Sequence, residues 1–252
     1  MERASLLAVF AHPDDESLAC GGLIALCAER GIPVSLLCLT RGEHGPGERA
    51  TLAETRTREL HAAAGVLGVA AVRVLDYEDG MLPWMEHERI EADVSDAIRD
   101  FEPDAVVTFD EDGLYWHPDH VAVHHRVTAA VTSLGGSAPE LWYVSLPTGA
   151  MRAVVDAATG DGSSEVLGVH ADAFGAEAPR PTLVIRTGEL ATRKLAALRC
   201  HRSQVDGGAL DRIAEEDAER LLGVEHYRRA RVGGVGESLL ERIGTPVASA
   251  RS

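Results

Sequence analysis

An unbroken apolar run, Leu6 to Phe10, and three more interrupted by a single residue each, Val34 to Leu39 by Ser35, Val72 to Leu75 by Arg73 and Ala105 to Phe109 by Thr108, have the length of strands. Between them the apolar positions recur at helical spacing. Leu18, Leu23, Ile24, Leu26 and Cys27 predict a helix from about Ser17 to Arg30-Gly31, and further helices are predicted from about Glu48 to Gly65, Glu88 to Asp100 and Pro118 to Leu134. Strands apolar on both faces that alternate with helices imply a mostly parallel sheet with helices on both faces, a Rossmann-like α/β fold. In such sheets ligands bind beyond the carboxyl ends of the strands.

The rhythm breaks from about 147 to 181, where Gly, Ala, Asp and Ser are frequent and strand signals are short, so either a variable segment over the sheet's active edge or ordinary connecting loop is expected. A strand from Thr182 to Ile185, a helix from about Glu189 to His201 and a charged helix near Asp211 to Leu222 follow. The expected organisation is one α/β domain over residues 1–232, with a less readable insertion at about 147–181 and a flexible C-terminal tail over 233–252. There is no internal repeat.

Charge narrows the range of partners. Among 252 residues, 24 Lys and Arg face 40 Asp and Glu, a formal net charge of −16, and the only lysine is Lys194. The densest basic cluster is Arg228-Arg229-Ala230-Arg231, too small for a nucleic-acid or membrane-surface patch. Neither partner is expected. No apolar stretch is long enough to span a bilayer, and the run from Leu6 is too short for a signal peptide. Cys20, Cys27, Cys38 and Cys200 lack C-x-x-C spacing, so they read as thiols in a reducing compartment, and a cytoplasmic location is expected.

The chemically capable residues cluster just after the strands: His12-Pro13-Asp14-Asp15-Glu16, Thr40-Arg41-Gly42-Glu43, Asp76 to Asp79, and Asp110 to His120. A catalytic zinc commonly has three protein ligands and an open position for water. His12 and Asp15 are three apart, as are His117 and His120, where Pro118 fits the first position of a helix. Two clusters at two strand ends could thus close around one cation through His12, Asp15 and one or both of His117 and His120. Asp14, diverging from its neighbour Asp15, is left beside the bound water. The plainer reading of the first cluster is a helix start whose acids complement the macrodipole. It does not account for the second.

These residues resemble the family of zinc-dependent sugar N-deacetylases that includes the phosphatidylinositol-glycan (PIG-L) de-N-acetylase, the mycothiol and bacillithiol pathway deacetylases and the LmbE-like proteins. The signature Ala-His-Pro-Asp-Asp-Glu stands at Ala11 to Glu16 and His-Pro-Asp-His at His117 to His120. Thr40 to Glu43 resembles the family's Thr-x-Gly-Glu loop, Arg56 to Leu60 its Arg-x-x-Glu-Leu helix, and His201-Arg202-Ser203-Gln204 its His-x-Ser-Gln. The resemblance spans about the first 135 residues and the stretch around 190–204, but not the middle segment.

The resemblance implies an LmbE-like fold with His12, Asp15 and His120 as metal ligands, Asp14 as general base and His117 stabilising the oxyanion. It also matches Tyr115 to an oxyanion donor over the site, with Trp116 in place of a usually small residue, and Arg56 and Asp79 to positions that hold sugar hydroxyls. The implied cofactor is Zn2+, with Fe2+ compatible with the same ligands. Metal-bound water would be the nucleophile, with Asp14 taking its proton. Packing for Tyr115, and a surface arginine and a turn aspartate for Arg56 and Asp79, are the plainer alternatives. Asp119 reads as an acid complementing the helix dipole or as a partner of His117, His124 as an exposed helix residue, and His201 and Gln204 as pocket rim or helix cap. Arg41 joins Arg56 as a cation near the site.

The expected function is removal of the N-acetyl group from an N-acetylglucosamine-type sugar or glycoside. One alternative is an amidase of the same family acting on a larger thiol-conjugate, and another is a non-catalytic sugar-binding module. The partner is a small amino-sugar molecule, and a homo-oligomer is left open.

Overall fold

The computed structural model describes residues 4–159, 164–177 and 179–246. Its centre is an eight-stranded sheet of β1 (Leu6–Phe10), β2 (Val34–Thr40), β3 (Ala71–Tyr77), β4 (Ala105–Phe109), β5 (Glu140–Val144), β8 (Leu183–Arg186), β9 (Val224–Gly233) and β10 (Thr245–Pro246), with β6 (Glu165–Val166) and β7 (Val169–His170) forming a separate hairpin. The strand order is β10-β8-β9-β5-β4-β1-β2-β3. The five strands from β3 to β5 are parallel, and β9, β8 and β10 continue the sheet antiparallel to their neighbours. Every residue of β1, β4 and β5 is buried, as the apolar runs of β1 and β4 require.

Helices cover the sheet in two groups. α1 (Asp15–Glu29), α2 (Leu52–Leu67) and α7 (Ala191–Leu198) pack together, as do α3 (His87–Phe101) and α5 (Pro118–Ser133). The order β3-β2-β1-β4-β5 makes the crevice between β1 and β4 a switch point, because α1 leads from β1 toward β2 while α5 leads from β4 toward β5. Both signature clusters leave their strands there.

The middle segment departs from the ordinary loop that its composition allows. Met151, Val154, Val155 and Ala158 recur at helical spacing on α6 (Ala150–Thr159) and, with the β6-β7 hairpin and Phe174, pack against Leu195 and Leu198 of α7 in a second apolar cluster. Residues 160–163 lie outside the described residues. The helix expected from Asp211 to Leu222 shrinks to α9 (Ala218–Leu222), since Arg199 takes the carbonyls of Asp211 and Ile213 at 3.0 and 2.6 Å. α4 (Gly113–Trp116) and α8 (Arg202–Val205) are single turns.

Within the stretch read as a flexible tail, α10 (Leu239–Ile243) buries Leu239 and Leu240, whose amides donate to Glu140, and Thr245 and Pro246 pair with β8. Two buried side chains hold that segment on the sheet edge. Residues 247–252 lie outside the described residues.

α1 is broken at Cys20 (φ −142°, ψ 22°). The freed amides of Gly22 and Leu23 donate to the Glu225 carboxylate at 2.8 and 2.9 Å, and Lys194 Nζ and the Tyr227 hydroxyl donate to it at 2.7 Å. All three side chains are buried. The chain's one lysine is therefore an internal cation.

Candidate active site

At the end of β1, the Ala11 carbonyl accepts hydrogen bonds from the Thr40 amide and hydroxyl, both at 2.9 Å. The turn that follows is tight: the Asp15 carboxylate accepts the His12 N–H at 2.8 Å, and Asp14 sits in the left-handed region at φ 113°. Successive aspartates therefore point different ways. After β4, the His117 ring accepts the Asp119 N–H at Nδ1 and caps α5, while Pro118 occupies the helix's first position.

His12, Asp15 and His120 converge where the two segments meet. His12 Nδ1 lies 3.2 Å from His120 Nε2 and 3.4 Å from Asp15 Oδ2, and His120 Nε2 lies 3.2 Å from Asp15 Oδ1. A tetrahedron with bonds of about 2.0–2.1 Å has edges of about 3.3–3.4 Å, close to the separation of the two ring nitrogens and of each from the Asp15 oxygen that faces it, so the three residues could hold one small cation. The outer ring nitrogens are also committed. His120 Nδ1–H donates to the Gly113 carbonyl at 2.9 Å, and His12 Nε2–H faces Asp79 Oδ1 at 3.0 Å and Asp119 Oδ2 at 3.1 Å. Such bonds fix the tautomer that leaves the inner nitrogen free to coordinate.

Two other groupings bring ligand atoms within 4.8 Å of one another: His12, His117 and His120, and His12, Asp79 and Asp119. The second is the shell that holds His12, for Asp119 also accepts the Gly80 and Leu82 amides and Asp79 the His44 amide. In the first, the Asp119 amide occupies one nitrogen of His117.

Charge follows this packing. Burial disfavours a charged His12, but the acceptors Asp119, Asp15 and Asp79 outweigh it and raise its pKa well above the ordinary value. Burial opposes ionised Asp15 and Asp79 too, yet the neighbouring imidazoles hold Asp15 well below the carboxylate range, and His12 with the His44 amide brings Asp79 to about 2. Four carboxylates, Asp14, Asp15, Asp79 and Asp119, crowd around few compensating cations. A divalent ion fits that balance, on condition that His12 Nδ1 gives up any proton it holds.

A cavity of about 370 Å³ opens over this cluster, with His12, Asp14, Asp15 and His117 on its floor. Burial pushes the Asp14 carboxyl up to about 6 despite the Arg56 guanidinium. Burial, with His120 and His12 nearby, lowers His117 to about 4. A neutral His117 whose Nδ1 accepts an amide carries its proton on Nε2.

The remaining expected residues divide. Tyr115 lines the cavity with its ring 4.7 Å from Phe174, and Trp116 turns outward, 65% exposed, so its bulk does not displace the tyrosine. Arg56 reaches the cavity, but its guanidinium donates to the Gly42 carbonyl at 2.8 Å, the Pro13 carbonyl at 2.7 Å and Asp14 Oδ2 at 3.2 Å. A Cβ at Gly42, whose φ is +66°, would collide with that guanidinium. Arg41 lies apart, on a surface lined by Glu54 and His61. Asp119 pairs with the His12 ring and not with the ring of His117, because its carboxylate is drawn to the amides of Gly80 and Leu82. His124 is buried, its Nδ1–H donating to the Phe109 carbonyl.

The His201-to-Gln204 motif also resolves. Gln204 reaches the cavity rim and donates to the Pro46 carbonyl, Ser203 is held by Glu59, and His201 is fully buried beneath, 2.8 Å from Glu16. The opposite wall is Leu167 and Val169 of the β6-β7 hairpin, within the segment for which the sequence offered a place over the active edge but no individual residues. The turn signal Leu167-Gly168, both at positive φ, lay inside it.

Residues 7–131 match the family PIG-L, described as GlcNAc-PI de-N-acetylase. The 1D-myo-inositol 2-acetamido-2-deoxy-alpha-D-glucopyranoside deacetylase of Acidothermus cellulolyticus is 34% identical over 255 residues, covering 88% of this chain and 87% of that protein. Among solved structures, the N,N'-diacetylchitobiose deacetylase of Pyrococcus horikoshii aligns with a TM-score of 0.63 at 24% identity, over 91% of this chain and 84% of that one. GalB, the 4-carboxy-2-hydroxymuconate hydratase of Pseudomonas putida KT2440, aligns equally well, with a TM-score of 0.63 at 22% identity over 94% and 99% of the two chains. The fold by itself therefore does not select amide hydrolysis. Sequence identity over most of both chains does, and the protein belongs to the PIG-L family of de-N-acetylases.

Proposed function

We propose that this enzyme removes the acetyl group from the glucosamine nitrogen of an N-acetylglucosaminyl inositol glycoside, the substrate in the names of its curated relatives. The observation that carries the reading is the convergence of His12, Asp15 and His120 beneath the cavity: the two inner ring nitrogens lie 3.2 Å apart, and each faces a different oxygen of the Asp15 carboxylate, at 3.4 and 3.2 Å. That spacing and two imidazoles with a carboxylate suit Zn2+, while Fe2+ would accept the same ligands. Bound there, the cation would polarise the acetamide carbonyl and acidify a water.

The chain's own groups do the rest. Asp14, on the cavity floor with its carboxyl raised toward neutrality, accepts the proton of the attacking water and passes it to the departing amine. His117, neutral, donates from Nε2 to the oxygen that gains charge, and the Tyr115 hydroxyl is a second donor from the wall. Arg56 holds Asp14 and the turn before it, and Asp79 orients His12, which leaves both less free for sugar hydroxyls than the family resemblance implies.

About 370 Å³ lies at the small end of the usual range of ligand pockets, roughly 300–1,000 Å³. That space accommodates a disaccharide-sized glycoside. The test is mass-spectrometric measurement of acetate release from N-acetylglucosaminyl inositol, N-acetylglucosamine and a larger conjugate, with zinc and iron counted per chain. Release from the inositol glycoside at the highest kcat/KM is expected. No acetate from any amino sugar would overturn the reading.

A further inference from the structure

Glu16 and His201 form a buried pair that the chemistry above leaves unused. His201, between α7 and α8, is 0% exposed, and its Nε2–H donates to Glu16 Oε1 at 2.8 Å. Its Nδ1 is buried and has no hydrogen-bond partner among the described residues. A ring needed only for packing would be better apolar, because a buried polar edge is costly unless it makes its bonds. Here a single nitrogen does so, and toward one carboxylate.

Glu16 in turn serves the catalytic turn. It is 1% exposed, takes the Ser17 hydroxyl on the oxygen shared with His201, and accepts the Asp14 N–H on the other at 3.0 Å. Asp14 is the residue at φ 113°, a conformation that persists in a non-glycine residue only where the surroundings dictate it. That conformation sends the Asp14 carboxylate into the cavity while Asp15 faces His12 and His120. The chain of contacts from residue 201 ends on the peptide that sets both directions.

We propose that His201 is a positioning residue: through Glu16 it holds the Asp14 N–H and so the aim of the Asp14 carboxylate. This rests on Asp14 being the general base. The rest of its segment is anchored separately, Ser203 on Glu59 and Gln204 on Pro46, so altering the ring leaves α8 docked.

The experiment compares His201→Ala, His201→Gln and Glu16→Gln as zinc-loaded proteins, reading kcat and KM on N-acetylglucosaminyl inositol, zinc per chain, and hydrogen exchange at the Asp14 amide. For His201→Ala we expect kcat to fall about 10²-fold, the usual scale for a group displaced by about 1 Å, with KM and zinc unchanged. Exchange at Asp14 should accelerate while Leu6 to Phe10 stay protected. His201→Gln, whose amide can donate to the same oxygen, should recover most of kcat. Glu16→Gln, left with one acceptor oxygen for three donors, should repeat the alanine result and decides the matter alone if the alanine variant does not fold. An Asp14 amide as protected in His201→Ala and Glu16→Gln as in the parent overturns the proposal, as does an equal loss of kcat and zinc in both His201 variants. If the parent enzyme releases no acetate, the functional reading fails, whereas the exchange comparison still decides whether His201 positions Asp14.

Discussion

Asp119 Oδ2 lies 3.1 Å from His12 Nε2 across 107 residues of sequence, and the same carboxylate accepts the amides of Gly80 and Leu82 at 2.8 and 3.1 Å. One buried side chain thus ties the ends of β1, β3 and β4 together and fixes which His12 nitrogen faces inward. In Asp119→Asn one oxygen must replace two. Zinc affinity is expected to fall about 10–100-fold, the usual effect of removing an outer partner of a ligating histidine. Competition with a chromogenic chelator measures it, and parental affinity would show that Asp79 alone orients the ring.

The direction taken by Asp14 separates its role from that of Asp15. Asp14→Asn keeps the side chain's shape and an oxygen for Arg56 but has no basicity. Zinc per chain should stay near the parental value while kcat drops by roughly 10² or more, as for loss of a general base. Asp15→Asn should lose zinc along with turnover. Full activity in Asp14→Asn would remove Asp14 from the mechanism.

What the sequence made legible depended on how local the cause was. The runs of β1 and β4 are apolar because those strands are buried on both faces, so they and the clusters that follow them could be read directly. The spacing of His117 and His120 reflects one helix turn. Asp119 was legible only in its local role: it lies in the first turn of α5, as an acid complementing the helix dipole should, but its contact with His12 in place of His117 comes from folding β1 beside β4. Lys194 and Glu225 carry no pattern that announces an internal ion pair. β9 was overlooked because its arginines break the apolar alternation; Arg228 pairs with Asp110 and Arg229 with Glu140, so charges that look exposed are partly covered. α6 was readable from Met151, Val154, Val155 and Ala158, but the surrounding glycines and alanines masked it.

The Lys194–Glu225 pair gives a stability test independent of catalysis. Glu225→Ala strands a buried ammonium, two helix amides and the Tyr227 hydroxyl. Breaking a buried pair from one side usually costs about 3–5 kcal/mol, and a loss of that size is expected in urea denaturation. The double variant Lys194→Met, Glu225→Gln should recover part of it, since Gln keeps an acceptor for the amides and no charge is stranded. A double variant no more stable than Glu225→Ala would show that the ion pair itself, more than the orphaned ammonium, sets the cost.

His124 supplies a pH dependence away from the cation site. Burial lowers its pKa from the ordinary value against the opposing hydrogen bond to the Phe109 carbonyl, and His125 and Arg228 add to the lowering. The unfolded chain then binds this proton more tightly than the folded one does. Stability is therefore highest above about pH 6.5, the ordinary histidine value, and is lost as pH falls from there toward the depressed folded value. His117 and His226 are shifted the same way and His12 and His201 the opposite way, so the contribution must be read as a difference between proteins. His124→Asn keeps an N–H for the Phe109 carbonyl without a titrating group. Its unfolding free energy should fall less steeply than the parent's between about pH 6.5 and 5, measured by urea titration at each pH. Parallel curves would mean that the His124 proton is bound equally well in both states, and a steeper fall in the variant that the folded protein binds it more tightly.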